Sequence, residues 1–268
     1  MKISVIINAL NSEKHLDEVL DSVKGFDEVV ECDMGSTDAT ADIARAHGAK
    51  VLDYPTNDGK TLEDARNFAL NNVKHPWAFY VEPNEIVPPA LKKYLYDFIE
   101  QAADGVDGLF VARKNFMMYR FRKSSYPDYR LRLVRESKTH IPNKPGAMPS
   151  VEGEVKSIPA SRQDLALVHL STRFQRDRDR NGRAIKIDNL QNSDRPVTLA
   201  MMFINPLATF LKTYILKGTI FYGKDGFVVA SRNASDYFMQ LVEIPESRRI
   251  KAFNEEHAPL GIHIKSEE

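Results

Sequence analysis

The residues able to do chemistry in this chain lie in a few short segments. Asp33-Met34-Gly35-Ser36-Thr37-Asp38 follows the apolar run Val29-Val30-Glu31-Cys32. A strand that ends on a carboxylate and breaks into small polar residues places Asp33 where an open α/β sheet binds its ligands, so a nucleotide would be held there. The same residue types also suit a plain turn and helix cap. Arg130-Leu131-Arg132-Leu133-Val134-Arg135 alternates cation with apolar residue. Period two puts Arg130 and Arg132 on one strand face, where planar guanidinium forks can grip phosphate oxygens or form a solvated, salt-bridged face. Carboxylates recur in Glu82-Pro83-Asn84-Glu85 and in Val151-Glu152-Gly153-Glu154, while His169 stands alone among apolar residues in Leu167-Val168-His169-Leu170. A histidine so placed is most simply a satisfied core group.

The elements that must position these groups alternate. Ile3 to Ile7 reads as a buried strand; Ser12 to Val23, with Ser12 as cap, puts Leu16, Val19, Leu20 and Val23 on one helical face. Glu28 to Cys32 is the second strand and Ser36 to His47 the second helix, which Gly48 stops. Lys50 to Asp53 is a third strand, followed by a polar loop holding Pro55, Asn57, Asp58 and Gly59, a helix from Leu62 to Val73 and a strand from Trp77 to Val81. The next helix, Pro89 to Gln101, starts with prolines where a missing amide costs little. Strands alternating with helices predict an α/β fold with a mostly parallel sheet. Beyond Gly108, Leu109 to Lys114 and Arg130 to Arg135 read as strands, the latter with one basic and one buried face. Met117 to Tyr126 is dense in aromatics and arginines. Thr139 to Pro159, rich in Pro, Gly and Ser, reads as a loop crossing the sheet, and Ser171 to Asn192 as a charged helical stretch.

Composition sets the bounds. With 268 residues, 43% of them apolar, the chain can bury a sizeable core. Lys and Arg number 37 and Asp and Glu 37, so no global field draws it to nucleic acid or an anionic membrane. The run Arg173 to Arg180 mixes signs, which fits a solvated helix face or a lid over an acceptor and not a nucleic-acid patch. Cys32 has no partner cysteine in the chain, which fits a reducing compartment, the cytoplasm by default. The apolar N-terminal run is too short for a signal-peptide core. Leu199 to Tyr222 is interrupted by Asn205, Pro206, Lys212 and Lys217, so a core or interface helix is expected in place of a membrane span. Its alternation of aromatics and lysines also allows an in-plane contact with a membrane surface.

Five segments taken in order carry a family resemblance: Ser4-Val5-Ile6-Ile7 with Asn11, Asp33 through Asp38, Arg66-Asn67, Glu82-Pro83-Asn84-Glu85, and Arg130-Leu131-Arg132-Leu133. Over about residues 3 to 240 the chain resembles family 2 glycosyltransferases of the GT-A fold, in particular the bacterial lipopolysaccharide-core β-glucosyltransferases. The resemblance implies a GT-A core over residues 1–170 and a helical C-terminal extension over 171–268 packed on it. It also implies transfer of a sugar, with inversion, from a nucleoside diphosphate donor, a UDP-sugar first among them, to a glycan or lipid-linked acceptor. Such a protein would serve cell-surface polysaccharide or lipopolysaccharide synthesis in the cytoplasm or on the inner face of the cell membrane. The donor would be held by Asn11, Asp33, Ser36, Arg66, Arg130 and Arg132.

Relatives carry Asp-x-Asp where this chain has Glu82-Pro83-Asn84, and that motif binds a divalent cation, Mg²⁺ or Mn²⁺, across the donor's phosphates. The resemblance therefore assigns Glu82 and Asn84 to metal, with His169 matching a histidine near the diphosphate or metal, although a neutral amide in place of the second carboxylate weakens the set. An ordinary strand-to-helix turn is the competing account. An inverting transferase needs a carboxylate base for the acceptor hydroxyl. Glu154 aligns with the glutamate of the family's His-Glu pair, Glu152 is the reserve, and Gly153 stands where the histidine would be. These departures admit a second reading, a glycosyltransferase-like protein that binds sugar nucleotide or glycan without turnover. No Gly-x-Gly-x-x-Gly, Walker, zinc or Gly-x-Ser-x-Gly pattern is present, which removes support from dehydrogenase, triphosphatase, zinc-protein and serine-hydrolase readings.

Overall fold

A computed structural model of the chain describes residues 1–54, 61–101, 105–117, 120–121, 123–143, 147, 149–171 and 197–257. The expected loop at Pro55 to Gly59, the charged stretch at 173–192 and part of the aromatic segment at 117–126 lie outside the described residues. The chain divides into two units, Met1–Thr172 and Arg173–Glu268.

The first unit runs β1 (Ile3–Ala9), α1 (Glu13–Ser22), β2 (Glu28–Asp33), α2 (Thr40–Ala46), β3 (Lys50–Asp53), α3 (Leu62–Leu70), β4 (Trp77–Val81), β5 (Glu85–Ile86), α4 (Pro89–Gln101), β6 (Val106–Met117), β7 (Arg120–Phe121), β8 (Asp128–Arg135), β9 (Thr139–His140), β10 (Ser150–Val151), β11 (Glu154–Ser157) and β12 (Leu167–Ser171). The main sheet has the order β3-β2-β1-β4-β8-β6-β12-β5, with β7 and β11 paired to β6. Strands β1 to β4 are mutually parallel where they pair, and β8 runs antiparallel to both β4 and β6. This is the expected α/β, GT-A arrangement of a largely parallel sheet between helices.

Period two explains the layers. Ile3, Val5 and Ile7 face one way and pack with Leu16 of α1, Ala44 of α2 and Leu91 of α4. Ile6, Cys32 and Ala78 face the other way and pack with Ala65, Ala69 and Leu70 of α3. Central strands buried on both faces read as continuous apolar runs, which is why β1 and β4 are legible in the sequence.

Local chemistry shifts several boundaries. Ser12 does not cap α1; its hydroxyl donates to the Leu10 carbonyl, and its amide donates to the Thr40 hydroxyl. The second helix starts at Thr40 and not at Ser36, because Asp33 accepts the Ser36 amide, Asp38 accepts the Thr40 amide and the Ser36 hydroxyl accepts the Asn11 amide, local bonds that hold the intervening residues as a loop. The stretch from Thr139 to Pro159 is not all loop: β9 and β10 pair, and β11 joins β6 in parallel. Arg132 on β8 is itself buried, so that strand has no purely basic outer face.

The second unit holds α5 (Leu199–Leu211), a π-helical turn (Lys212–Leu216), a 3₁₀ turn (Thr219–Tyr222) and α6 (Gly223–His257). α5 packs against α6, and Phe210, Tyr214 and Phe227 form a ring cluster with centroids 5.3–6.0 Å apart. Of the two expectations for this stretch, a core or an interface helix, the core one is not met, because no residue of α5 is buried. The window Leu199–Leu216 is long and apolar enough to cross a membrane by length and composition alone.

Candidate functional site

Asp33 closes β2 beside Ala9, the last residue of β1, and both of its carboxylate oxygens accept the Ser36 amide at 3.2 Å. Gly35, at φ +93°, makes the turn between them, a conformation that side chains other than glycine rarely adopt. Asn11 adopts φ +48°, donates its amide to the Ser36 hydroxyl at 2.9 Å and accepts the Thr37 amide on Oδ1 at 2.8 Å. Asn11 and Ser36 therefore fasten the loop after β1 to the loop after β2. Strand order reverses at β1, which has β2 on one side and β4 on the other, the place where open α/β sheets bind ligands. Arg66 lies on α3. Burial pushes the pKa of the Tyr80 phenol upward, and the positive charge of Arg66 pulls it back by less.

Glu82 follows β4, two strand positions from Asp33, or about 9–10 Å across the sheet. From there a row of polar side chains crosses β5, β12, β6 and β8. In β-sheet register His169 pairs with both Glu85 and Asn115, and Arg113 pairs with Asp128. Arg113 Nη1 donates to Glu82 Oε2 at 3.0 Å and to Glu85 Oε1 at 3.1 Å, while its Nε and Nη2 reach Asp128 Oδ2 at 2.9 and 2.7 Å. Arg132 Nη2 donates to Glu82 Oε1 at 3.0 Å and Glu85 Oε1 at 2.6 Å. Asn115 donates to Asp128 at 3.0 Å and accepts on Oδ1 opposite His169 Nδ1 at 2.9 Å. His169 Nε2 lies 3.1 Å from the Asn84 amide nitrogen, which also donates to the Leu170 carbonyl.

Burial makes these bonds strong. Glu85 is 0%, Arg113 3% and Arg132 5% exposed, and charge-assisted bonds in a low-dielectric setting count for more than surface pairs. Burial lowers the basicity of Arg113, but the charges of Glu82, Glu85 and Asp128 outweigh it and hold the group firmly protonated. Burial pushes the Asp128 carboxyl upward, yet the Asn115 bond and the charges of Arg113 and Arg130 hold it below the usual carboxylate range.

The cation expected at Glu82, Asn84 and His169 meets a poor donor set. Each Glu82 oxygen accepts from an arginine, Asn84 turns its amide to His169, and His169 Nδ1 is engaged by Asn115. Among the described residues no cluster of three or more His, Cys, Asp or Glu side chains could hold a metal. A hard divalent cation needs free, anionic oxygens, so the residues present do not fit one.

The structure does not bring Glu154 and Glu152, the expected bases, to the polar row. Glu154 pairs with Val106 at the start of β6, whereas Arg113 lies seven residues farther along that strand, about 23 Å away at 3.3 Å per residue. Glu152 is tied to Lys138 at 3.3 Å near that same far end. Gly153 leaves no room for the missing histidine, since a Cβ there would lie 2.7 Å from the Gly105 carbonyl and overlap the Asp107 carboxylate.

Arg113, Asp128 and Asn115 are the site residues that sequence reasoning missed. Asp128 continues the period-two series Arg130, Arg132, and Arg113 is a charge inside an apolar strand, so both left a signal. Their meeting depends on the β6–β8 register, which no local pattern encodes.

The family model described as Glycosyl transferase family 2 matches residues 4–152, more than half of the chain. The chain is 25% identical over 264 residues to the lipopolysaccharide core biosynthesis glycosyltransferase LpsC of Rhizobium meliloti, covering 94% of this chain and 95% of that protein. Among solved structures it resembles residues 1–349 of S. aureus TarS, with 18% identity, coverage of 99% and 93%, and a TM-score of 0.48. Glucosyl-3-phosphoglycerate synthase from Mycobacterium tuberculosis, solved with Mn²⁺ and UDP-glucose, is 27% identical over 43% of each chain with a TM-score of 0.35. The match thus spans less than half the length of that synthase.

Proposed function

Because the chain belongs to glycosyl transferase family 2, we propose that it moves a sugar from a nucleoside diphosphate donor, with UDP-sugars foremost, to a hydroxyl of a glycan or lipid-linked acceptor. The observation that carries this reading is the Asp33 carboxylate, 8% exposed at the carboxyl end of β2 beside the strand-order reversal. A carboxylate there accepts from a uracil imide or ribose hydroxyls. Likeness to LpsC over nearly the whole of both chains supports an acceptor in lipopolysaccharide or related cell-surface glycan synthesis.

Inversion follows from a single displacement. The acceptor oxygen bonds to the anomeric carbon, the bond from that carbon to the diphosphate oxygen breaks, and its electron pair leaves with the nucleoside diphosphate. The acceptor's proton goes to a carboxylate within hydrogen-bond reach. Glu82, Glu85 and Asp128 are the carboxylates of the polar row. Asp128 is the most exposed of the three, and among the ion pairs of the described residues its Oδ1 faces Arg130, at 3.2 Å. We assign it the base role.

A place at the inner face of the cell membrane is supported by the second unit. Phe203, Leu216 and Phe221 are largely exposed. From Leu199 through Lys224 the chain carries Lys212, Lys217 and Lys224 and no Asp or Glu, which suits the surface of an anionic bilayer.

The deciding experiment titrates UDP into wild type and Asp33→Ala, then follows transfer from UDP-sugars by NMR of the anomeric proton. Donor binding lost in Asp33→Ala with a product of inverted configuration supports the proposal. Wild-type protein that binds UDP but never turns it over returns the chain to the binding-protein reading, which the altered Asp-x-Asp segment also favours.

A further inference from the structure

Charge in the polar row is arranged in order of depth. The side chain of Glu85 is 0% exposed, Arg113 4%, Arg132 6%, Glu82 13%, Asp128 22% and Arg130 37%. Carboxylates and guanidiniums match one for one along that series, so no net negative charge is left to attract a divalent cation. The outermost member is a cation, and an anion approaching the row meets Arg130 first.

The arginines also have unused capacity. Nε of Arg130 and Nε of Arg132 are buried atoms with no hydrogen-bond partner among the described residues. A buried guanidinium N–H left unpaired costs about 1–3 kcal/mol, and a phosphate oxygen is the acceptor that the fork geometry fits. The carboxylates hold the forks in place: Arg113 is fixed by Glu82, Glu85 and Asp128, and Arg132 by Glu82 and Glu85. Two guanidiniums carry the same charge as one divalent cation, and here Arg113 and Arg132 both bond to Glu82 in the segment where relatives place an Asp-x-Asp motif.

We propose that arginine side chains stand in for the divalent cation in this chain: Arg130 contacts the donor's diphosphate, Arg132 and Arg113 stabilise its charge from behind, and the donor binds without metal. Glu82 and Glu85 are then positioning residues for the guanidiniums and not metal ligands. The inference rests on the nucleoside diphosphate reading given above and names how that donor is held.

Isothermal titration of UDP and of uridine into the full chain, in EDTA and separately in Mn²⁺, tests it. UDP affinity in EDTA within about threefold of that in Mn²⁺ is expected, together with a loss of about tenfold in Arg130→Gln for UDP but none for uridine. Arg132→Gln should lose UDP affinity in EDTA and regain it in Mn²⁺, since removing one guanidinium leaves the carboxylates in excess. That rescue is a change that a merely structural role would not produce. Binding of UDP by wild type only in Mn²⁺ overturns the proposal and leaves the donor reading standing. An Arg130→Gln variant with wild-type UDP affinity also overturns it. Absence of UDP binding in both media overturns the donor reading as well. The wild-type comparison decides the matter even if Arg132→Gln does not fold.

Discussion

Glu85 Oε1 accepts from Arg132 Nη2 at 2.6 Å, and the same oxygen accepts from Arg113 Nη1 at 3.1 Å. A carboxylate with no exposure thus binds two guanidiniums, each of which also reaches Glu82. Glu85→Gln keeps the shape but leaves buried positive charge short of its partner. A loss of about 3–5 kcal/mol is expected in urea unfolding. The double variant Glu85→Leu/Arg132→Met should lose less than the sum of its single variants, with a coupling of about 1–3 kcal/mol. Additive losses would show that the pair is not coupled.

Placement along β6 separates the candidate bases. Asp128 is the register partner of Arg113, while Glu154 pairs with Val106 at the strand's start. Asp128→Asn is expected to lower kcat by about 10²–10⁴ with UDP affinity largely kept, and Glu154→Gln to leave kcat within about twofold. Rates measured at saturating donor check both. A collapse of kcat in Glu154→Gln would return the base to β11.

Much of the first unit was legible because its strands are apolar runs bounded by polar residues, as in Ile3–Ala9 and Trp77–Val81, and because Gly48 marks a helix end with φ +75°. The turn after β2 was legible for the same reason: Asp33 ends an apolar run. The polar row was not. Arg113 and Asp128 lie fifteen residues apart and meet only through antiparallel pairing, and register between strands is a tertiary property. The distance of Glu154 from the polar row was not legible, because a Pro- and Gly-rich stretch gives no sign that part of it joins β6 in parallel at that strand's start. Core and interface could not be told apart for α5, because its apolar composition suits a buried helix and an exposed one equally.

Gly153 occupies a space without room for a side chain. Its neighbours are the Gly105 carbonyl and Asp107, whose Oδ1 in turn accepts from Arg135 Nε at 2.5 Å. Gly153→Ala should therefore cost about 1–3 kcal/mol by overpacking, and Gly153→His more, with no gain in transfer rate. Thermal unfolding reads the loss, and an unchanged midpoint would show that the loop yields freely.

The second unit offers a membrane a surface that can be measured. Phe221 is 89% and Leu216 80% exposed, and each would gain about 1.5–3 kcal/mol on full burial in an apolar phase. Co-sedimentation with vesicles containing phosphatidylglycerol should exceed that with phosphatidylcholine alone and fall in high salt. Phe221→Asp should reduce it about tenfold or more. Equal sedimentation of the variant and wild type would remove this face from consideration.

Glu31, two residues before Asp33, ties stability to pH. It lies in β2 between Ile7 and Val51 in register, is fully buried, and neither carboxyl oxygen has a hydrogen-bond partner among the described residues. Burial, reinforced by the charge of Asp33 and opposed by that of Arg45, raises its pKa from 4.5 to about 8. The folded state then holds a proton that the unfolded chain releases at lower pH. Stability from this group is fully present below pH 4.5, falls as pH rises, and is lost once pH passes about 8. Glu31→Gln keeps the neutral shape at every pH, so its stability relative to wild type should grow by up to about 1.4 kcal/mol per pH unit through that window. The expected total is about 2–4 kcal/mol at high pH, given that buried groups relax. Denaturant unfolding of both proteins from pH 5 to pH 9 measures the difference. A difference that does not change with pH would mean that Glu31 is already ionised in the folded protein and has found a partner.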